Sequence, residues 1–391
     1  MESNLDKSKP VYLLLLAFTA TAVASIALQN IIWLAVVAFL FAAWRNHEKI
    51  NWPKGLFPLA TLLFMATFFL GAIVGIDPHN SFHGGRVYKY LAILLAFFIG
   101  AMPLDFGKIR SLLSVFVYGA SFCALYGIIY KHFILHEERI ESFSGDKMVF
   151  GGMLMVALLL NLALLKENPR KWQFWVCAAL NSVALVFTQT RGAWVGFFVG
   201  FILLLWKLNR KWLWTGLGIL FISLLTMPHS IQSRVESMGD ISFSLTRQDG
   251  QIVNASQPRF LIWVAGLRII KHYPWGIGQG NLDKVYPIYR VPNNDLEPNV
   301  PHLHNDFLQI LAQNGWIGFS VYVVWIFAYF REGFRYGNGS GPAELNWAFL
   351  CIFFSILVWG LTEYTFSHQF MNIQFFLLGL QIKLWKDSSR G

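Results

Sequence analysis

The chain carries more apolar sequence than a soluble core can use, arranged in runs that recur along almost its whole length. Twelve stretches of about 20 largely apolar residues, the length that crosses a bilayer, begin near Val11, Ile31, Leu56, Tyr88, Ile109, Met148, Trp172, Gly192, Trp212, Gly315, Leu345 and Phe370. Only 13% of the 391 residues are charged, against 55% hydrophobic. Such a chain folds as an all-α polytopic membrane protein, because lipid leaves backbone polar groups no partner outside the helix itself. Three regions follow. Residues 1–228 hold spans one to nine, 229–314 form a long loop with helices of its own, and 315–391 hold spans ten to twelve.

In a soluble protein a net charge of +10 would point to nucleic acid, but here the basic residues fall in alternate loops. One side holds Lys7 and Lys9, then Arg45, Lys49 and Lys54, then Lys108 and Arg110, then Lys166, Arg170 and Lys171. It continues with Lys207, Arg210 and Lys211, with Arg331 and Arg335, and with Lys383, Lys386 and Arg390. The positive-inside rule makes that face cytoplasmic, with both termini on it. Lys7 and Lys9 before an apolar run resemble a signal peptide, yet hydrophobicity continues past Ala24, as in an uncleaved first span. Cys123, Cys177 and Cys351 lie inside spans, where a thiol packs as a small apolar group. They suggest neither disulfides nor zinc.

The loop from His229 to Leu303 is polar and mixed in charge over Gln232 to Gln257. A helix is expected from Pro258 to about His272, since proline suits a first helical position and Pro274 stops the run. The sequence Trp275-Gly276-Ile277-Gly278-Gln279-Gly280-Asn281 has no strand before it, so it reads as a multi-glycine turn rather than a nucleotide cradle. From His304 to Asn314, apolar residues recur at helical spacing and lead into span ten at Gly315, as in a short interfacial helix.

Few polar groups remain to carry chemistry. His304 is expected in the first turn of the interfacial helix, where the dipole disfavours imidazolium and leaves a neutral, base-competent ring; capping the helix is the structural alternative. His302 competes from two residues earlier. Arg191 occupies a short external turn before Gly192, where positive charge is disfavoured unless used. Arg259 follows Pro258, so its guanidinium adds to a helix N-terminus as an anion site. Arg268, nine residues on, falls on the opposite helical face. Arg86 and Lys89 bracket the entry to span four after Gly84-Gly85 and could add charge to the same mouth. Asp77, His79 and His83, and Asp295 with Glu297, could be metal ligands but sit in proline-containing, turn-rich sequence that suits solvated loops. Glu363 and His368, in the last external loop, could support the histidine, without a spacing that singles them out. Paired carboxylates are missing from the first external turn, Ala27 to Asn30, so no metal and no cofactor are expected. Span interiors lack the acidic and basic groups that an ion-coupled transporter needs.

Twelve spans, a long loop before span ten, the His304-Asn305 pair separated by nine residues from Gly315-Trp316-Ile317-Gly318, and arginines at 191 and 259 resemble the O-antigen ligase family. O-antigen polymerases and protein O-oligosaccharyltransferases share the pattern. The resemblance implies a metal-independent, inverting glycosyltransferase of the Gram-negative inner membrane, acting on the periplasmic face. Its donor would be a glycan on undecaprenyl pyrophosphate and its acceptor a sugar hydroxyl of lipid A-core. His304 would be the base, with Arg191 and Arg259 holding the pyrophosphate. Membrane lipids are the other partners implied, and nucleic acid is not.

Overall fold

A computed structural model describes residues 9–83, 86–143, 145–208, 211, 247–248, 251–252, 257–291, 299–337 and 343–388. These residues are helical apart from connections and a two-residue antiparallel ladder, Arg247–Gln248 with Gln251–Ile252. The helices are α1 (Lys9–Thr21), α2 (Ile26–Gln29), α3 (Ile31–Arg45), α4 (Leu56–Val74), α5 (Pro78–Phe82) and α6 (Leu95–Ala101), the last preceded by a 3-10 stretch, Tyr88–Leu94. Then come α7 (Phe106–Tyr126, continued as a π-helix to Ile134), α8 (Lys147–Glu167), α9 (Trp172–Thr188) and α10 (Arg191–Leu208). After the long loop begins, α11 (Gln257–His272), α12 (Leu282–Tyr289), α13 (Asp306–Gly337), α14 (Ala343–Trp359) and α15 (His368–Ser388) complete the order.

Helix stands at eleven of the twelve expected places; the run from Trp212, like the polar stretch after it apart from residues 247–248, 251–252 and 257, and like the Asp295–Glu297 pair, lies outside the described residues. Among the described residues six helices are long and apolar enough to cross a membrane, including Leu56–Val74, Lys147–Glu167 and Asp306–Tyr336. Four more apolar helices, including Tyr88–Ala101 and Ala343–Trp359, are shorter. The apolar faces meet in one large core, with Trp325, Trp359, Tyr322 and Phe64 among its fully buried side chains. At its centre α15 is buried nearly all round although it carries Gln369, Asn372, Gln374 and Gln381. Burying those amides costs free energy unless they are bonded, and Gln381 meets that need by accepting from Tyr329 Oη at 2.5 Å.

A smaller cluster gathers Ile262, Ile269, Leu282, Tyr286 and Leu303 into a cap formed by α11, α12 and the start of α13. The glycine-rich turn fastens the cap to the bundle. Ile277 N donates to Ala312 O at 2.9 Å, Gly278 N to Gln313 O at 3.0 Å, and Trp316 N to Pro274 O at 3.0 Å. Amide groups of the turn are thereby spent on α13, which bears out a structural turn over a phosphate cradle. α13 can accept these bonds because it breaks at Gly315, whose φ of 64° and ψ of −170° are not helical. Buried amides secure the join: Gln279 Nε2 donates to Asn314 Oδ1 at 2.7 Å, and Asn314 Nδ2 to Thr67 Oγ1 at 3.2 Å.

Candidate active site

His304 does not lie in the first helical turn, as expected. α13 begins at Asp306, and Asn305 caps it by accepting from Leu308 N at 3.0 Å. His304 precedes the cap with φ of 49°, a left-handed conformation uncommon for a residue with a side chain. The dipole argument for a neutral ring therefore falls away. A different restraint replaces it.

That restraint is the loop after α14. Asn305 Nδ2 donates to Leu361 O at 2.9 Å, and Asp306 N donates to Gly360 O at 2.7 Å. The buried Asp306 carboxylate accepts from Thr365 N at 2.8 Å and from Thr365 Oγ1 at 2.6 Å. Four hydrogen bonds thus stitch residues 305–306 to residues 360–365, and between them Glu363 is brought to His304. Glu363 Oε1 lies 2.9 Å from His304 Nδ1, and Oε2 lies 3.2 Å from Arg259 Nη2. Glu363 is the residue that sequence reasoning undervalued: its only signal was an acid in a short loop between apolar helices.

The electrostatics settle which way this bond runs. Burial raises the proton affinity of Glu363, but the His304 hydrogen bond and the charges of His304, Arg259 and His302 outweigh it and hold its pKa below the ordinary value. An ionised carboxylate only accepts, so His304 Nδ1 is the donor, and in the neutral ring that tautomer leaves the lone pair on Nε2. The His304 side chain is 27% exposed and that of Glu363 7%, so the imidazole reaches the surface and the carboxylate beneath it does not.

His302 is held more firmly than its place before the helix suggested. Its ring packs on His304 with centroids 4.2 Å apart and leans on Tyr364. Burial, followed by the charge of His304, pushes its pKa down to about 4, against partial opposition from Glu363. Its Nδ1 is 3.9 Å from Glu363, beyond hydrogen-bond reach. Of the two imidazoles, only His304 is oriented by the carboxylate.

The other candidates separate into two groups. Lys89 reaches the Glu363 loop, with Nζ 3.5 Å from Phe366 O and 5.3 Å from the Tyr364 ring centroid. Beneath it Tyr90 and Tyr364 share a hydrogen bond of 2.7 Å. Arg191, half-buried, opens α10 one residue before Gly192. A Cβ on Gly192 would collide with Thr362 Oγ1 and lie 2.9 Å from the Trp359 ring, so α10 starts directly against the residues that precede Glu363. The turn before it is fixed by Arg139 Nε donating to Thr188 O at 3.1 Å and by Gln189 Nε2 donating to Glu138 O at 3.1 Å.

Arg86 joins no part of this cluster: it bonds Gly280 O and lies 3.7 Å from Asp283, bracing the glycine turn. Asp77 caps α5 and pairs with Lys284, a structural role in place of a metal ligand. Arg268 is exposed and reaches the carbonyls of Tyr289 and Arg290 at 3.4 and 3.5 Å. His302, His304 and Glu363 do offer three ligand atoms within 4.8 Å of one another. The Arg259 guanidinium already pairs with the other oxygen of that carboxylate, however, and so offsets the negative charge that would attract a cation. The donor set therefore fits an anion-facing site better than a metal.

Residues 176–323 match the sequence profile of the O-antigen ligase family. Over that stretch the chain is similar to the O-antigen ligase family. The matched stretch contains Arg191, Arg259 and His304, and it ends before Glu363. No curated protein matches the chain. Beside that family match stand six helices among the described residues that are long and apolar enough to cross a membrane, as in a multi-pass membrane protein.

Proposed function

We propose that the protein is an O-antigen ligase in the strict sense. It transfers a glycan from undecaprenyl pyrophosphate to a sugar hydroxyl of lipid A-core, on the periplasmic face of the Gram-negative inner membrane. The observation that carries this reading is Glu363 bonded at once to His304 and Arg259, which joins a candidate base to a candidate anion-binding cation.

His304 Nε2 takes the proton of the acceptor hydroxyl as its oxygen attacks the anomeric carbon. The bond from that carbon to the pyrophosphate oxygen breaks, and undecaprenyl pyrophosphate leaves. Attack opposite the leaving group inverts the anomeric centre in one displacement. Glu363 stabilises the imidazolium that forms, a contribution made only as charge develops. Arg259 keeps N–H groups beyond the one spent on Glu363, and with Arg191 it meets the growing charge on the diphosphate. Lys89 adds cationic charge on the same loop. None of these steps calls on a metal.

The test is reconstitution of the purified protein with a defined undecaprenyl-pyrophosphate glycan and lipid A-core. Product joined to core supports the ligase reading. Elongation of one lipid-linked glycan by another, with core untouched, makes it a polymerase, and transfer to protein makes it an oligosaccharyltransferase. His304→Ala should abolish transfer while donor binding persists, and unaltered flux of lipid-linked glycan across the membrane in that variant, with no transfer in wild type, would indicate a transporter.

A further inference from the structure

At the end of α13 remote from His304, residues 51–54, the start of α4 and the last turns of α13 and α15 enclose a cavity of about 240 Å³. From Gly315, where α13 breaks, a helical rise of ~1.5 Å per residue puts Glu332 about 25 Å away, close to the ~30 Å depth of a hydrocarbon core. The cavity therefore opens at the other membrane surface, among helix ends bearing Trp52, Lys54, Tyr336, Trp385 and Lys386. Such aromatic and basic residues mark the level of lipid headgroups.

Its charges are layered. Glu332 lies inside, its side chain 10% exposed, and its ion-pair partner among the described residues is the half-exposed Arg331 next to it, at 3.4 Å. A buried carboxylate so thinly paired is costly unless another cation meets it. Tyr336 and Trp385 stack beside it at 15° with centroids 5.9 Å apart, and aromatic rings in the lining can receive an ammonium group. Farther out are Lys54, exposed and without an ion-pair partner among the described residues, and Lys386, which donates to Asn51 O at 2.6 Å. An anion alone would be attracted by the lysines and repelled by Glu332. A group with an ammonium at one end and a phosphate at the other satisfies both layers. The volume falls below the ~300–1,000 Å³ usual for drug-sized ligands, which suits a headgroup.

We propose that this cavity binds an ammonium–phosphate zwitterion, the ammonium toward Glu332 and the phosphate toward Lys54 and Lys386. Phosphatidylethanolamine at the membrane surface and free O-phosphoethanolamine share that chemistry.

Native mass spectrometry of the full-length protein, titrated with dihexanoyl phosphatidylethanolamine, dihexanoyl phosphatidylglycerol or O-phosphoethanolamine, tests it. Phosphatidylethanolamine should bind at least about tenfold more tightly than phosphatidylglycerol. Glu332→Gln should reduce that preference to about threefold or less, and Lys54→Glu, at an exposed site where folding is not at risk, should weaken phosphatidylethanolamine at least about fivefold. Competition by O-phosphoethanolamine would show that the headgroup suffices, whereas lipid binding without competition would assign the lipid; either outcome keeps the site. Equal binding of the two lipids, no binding of either, or a Lys54→Glu protein that binds phosphatidylethanolamine as wild type does would overturn it.

Discussion

Glu363 Oε1 accepts from His304 Nδ1 at 2.9 Å, a contact between residues 59 positions apart that exists because two loops are stitched together beside it. The pairing fixes the ring tautomer and supplies a counter-charge when Nε2 takes a proton. Glu363→Gln keeps the size of the side chain and removes that charge. On the proposed chemistry, kcat should fall about 10²-fold or more, within the ~10²- to 10⁴-fold that a positioned base contributes, with KM for donor little altered. A steady-state comparison with His304→Ala and the double variant checks it. If the two losses add in full, the residues do not act as a unit.

Arg259 divides its guanidinium between Glu363 and the exposed face of the site, and Arg191 enters beside the same loop. Alanine at either position should weaken donor binding at least about tenfold, measured by titration with an undecaprenyl-pyrophosphate glycan. Lysine should restore only part, because a point charge cannot form two parallel bonds to phosphate oxygens. Donor affinity unchanged in both alanine variants would remove the clamp.

The fold and the site differed in how far the sequence exposed them. Apolar runs such as 148–165 declare themselves as spans because one physical demand, satisfaction of the backbone in lipid, acts on every residue of them. His304, Arg191 and Arg259 stood out because charge or imidazole is rare beside such runs. Glu363 was far less visible, since its importance comes from hydrogen bonds made by Asn305, Asp306 and Thr365 across the fold. Arg86 was open to two readings for the same reason: a cation near the mouth in sequence bonds Gly280 in the fold. Local spacing cannot distinguish a cation that braces a turn from one that faces a ligand.

Two groups at the site make the protein sensitive to acid. The pKa of His302 is lowered from 6.5 to about 4, so its neutral form is favoured on folding. The unfolded chain takes up its proton first, and this stability, whole above pH 6.5, is lost as pH falls toward 4. Glu363 acts in the same direction lower down, since its folded pKa lies below the ordinary 4.5. His302→Gln should therefore flatten the fall in unfolding temperature between about pH 6.5 and pH 4, followed by thermal scans in detergent. Parallel wild-type and variant curves over that window would show that His302 is not the responsible group.

A proposed chemistry that uses cations already in the chain has no need of divalent ions. Rates in the reconstituted system should be the same with excess chelator as without, and magnesium or manganese should not raise them. Chelator inhibition that added metal reverses would mean that His302, His304 and Glu363 serve as ligands after all, and Arg259 would then have to leave the carboxylate.

Gly315 is where the cap meets the membrane bundle, and its backbone conformation is open to few residues with a side chain. At φ of 64° and ψ of −170° an alanine is strained, by roughly 1–3 kcal/mol. Its Cβ would also lie 2.6 Å from Pro274 O. Relief requires either a straighter α13 or a shifted Pro274–Gly278 turn, and each loosens the bonds from that turn to Ala312 and Gln313. The segment displaced is the one that carries His304. Gly315→Ala should thus lower the unfolding temperature by several degrees and reduce transfer, while Gly145→Ala, at a positive-φ glycine with open space around it, should leave transfer unchanged. Wild-type activity in Gly315→Ala would show that the break in α13 does not position the histidine.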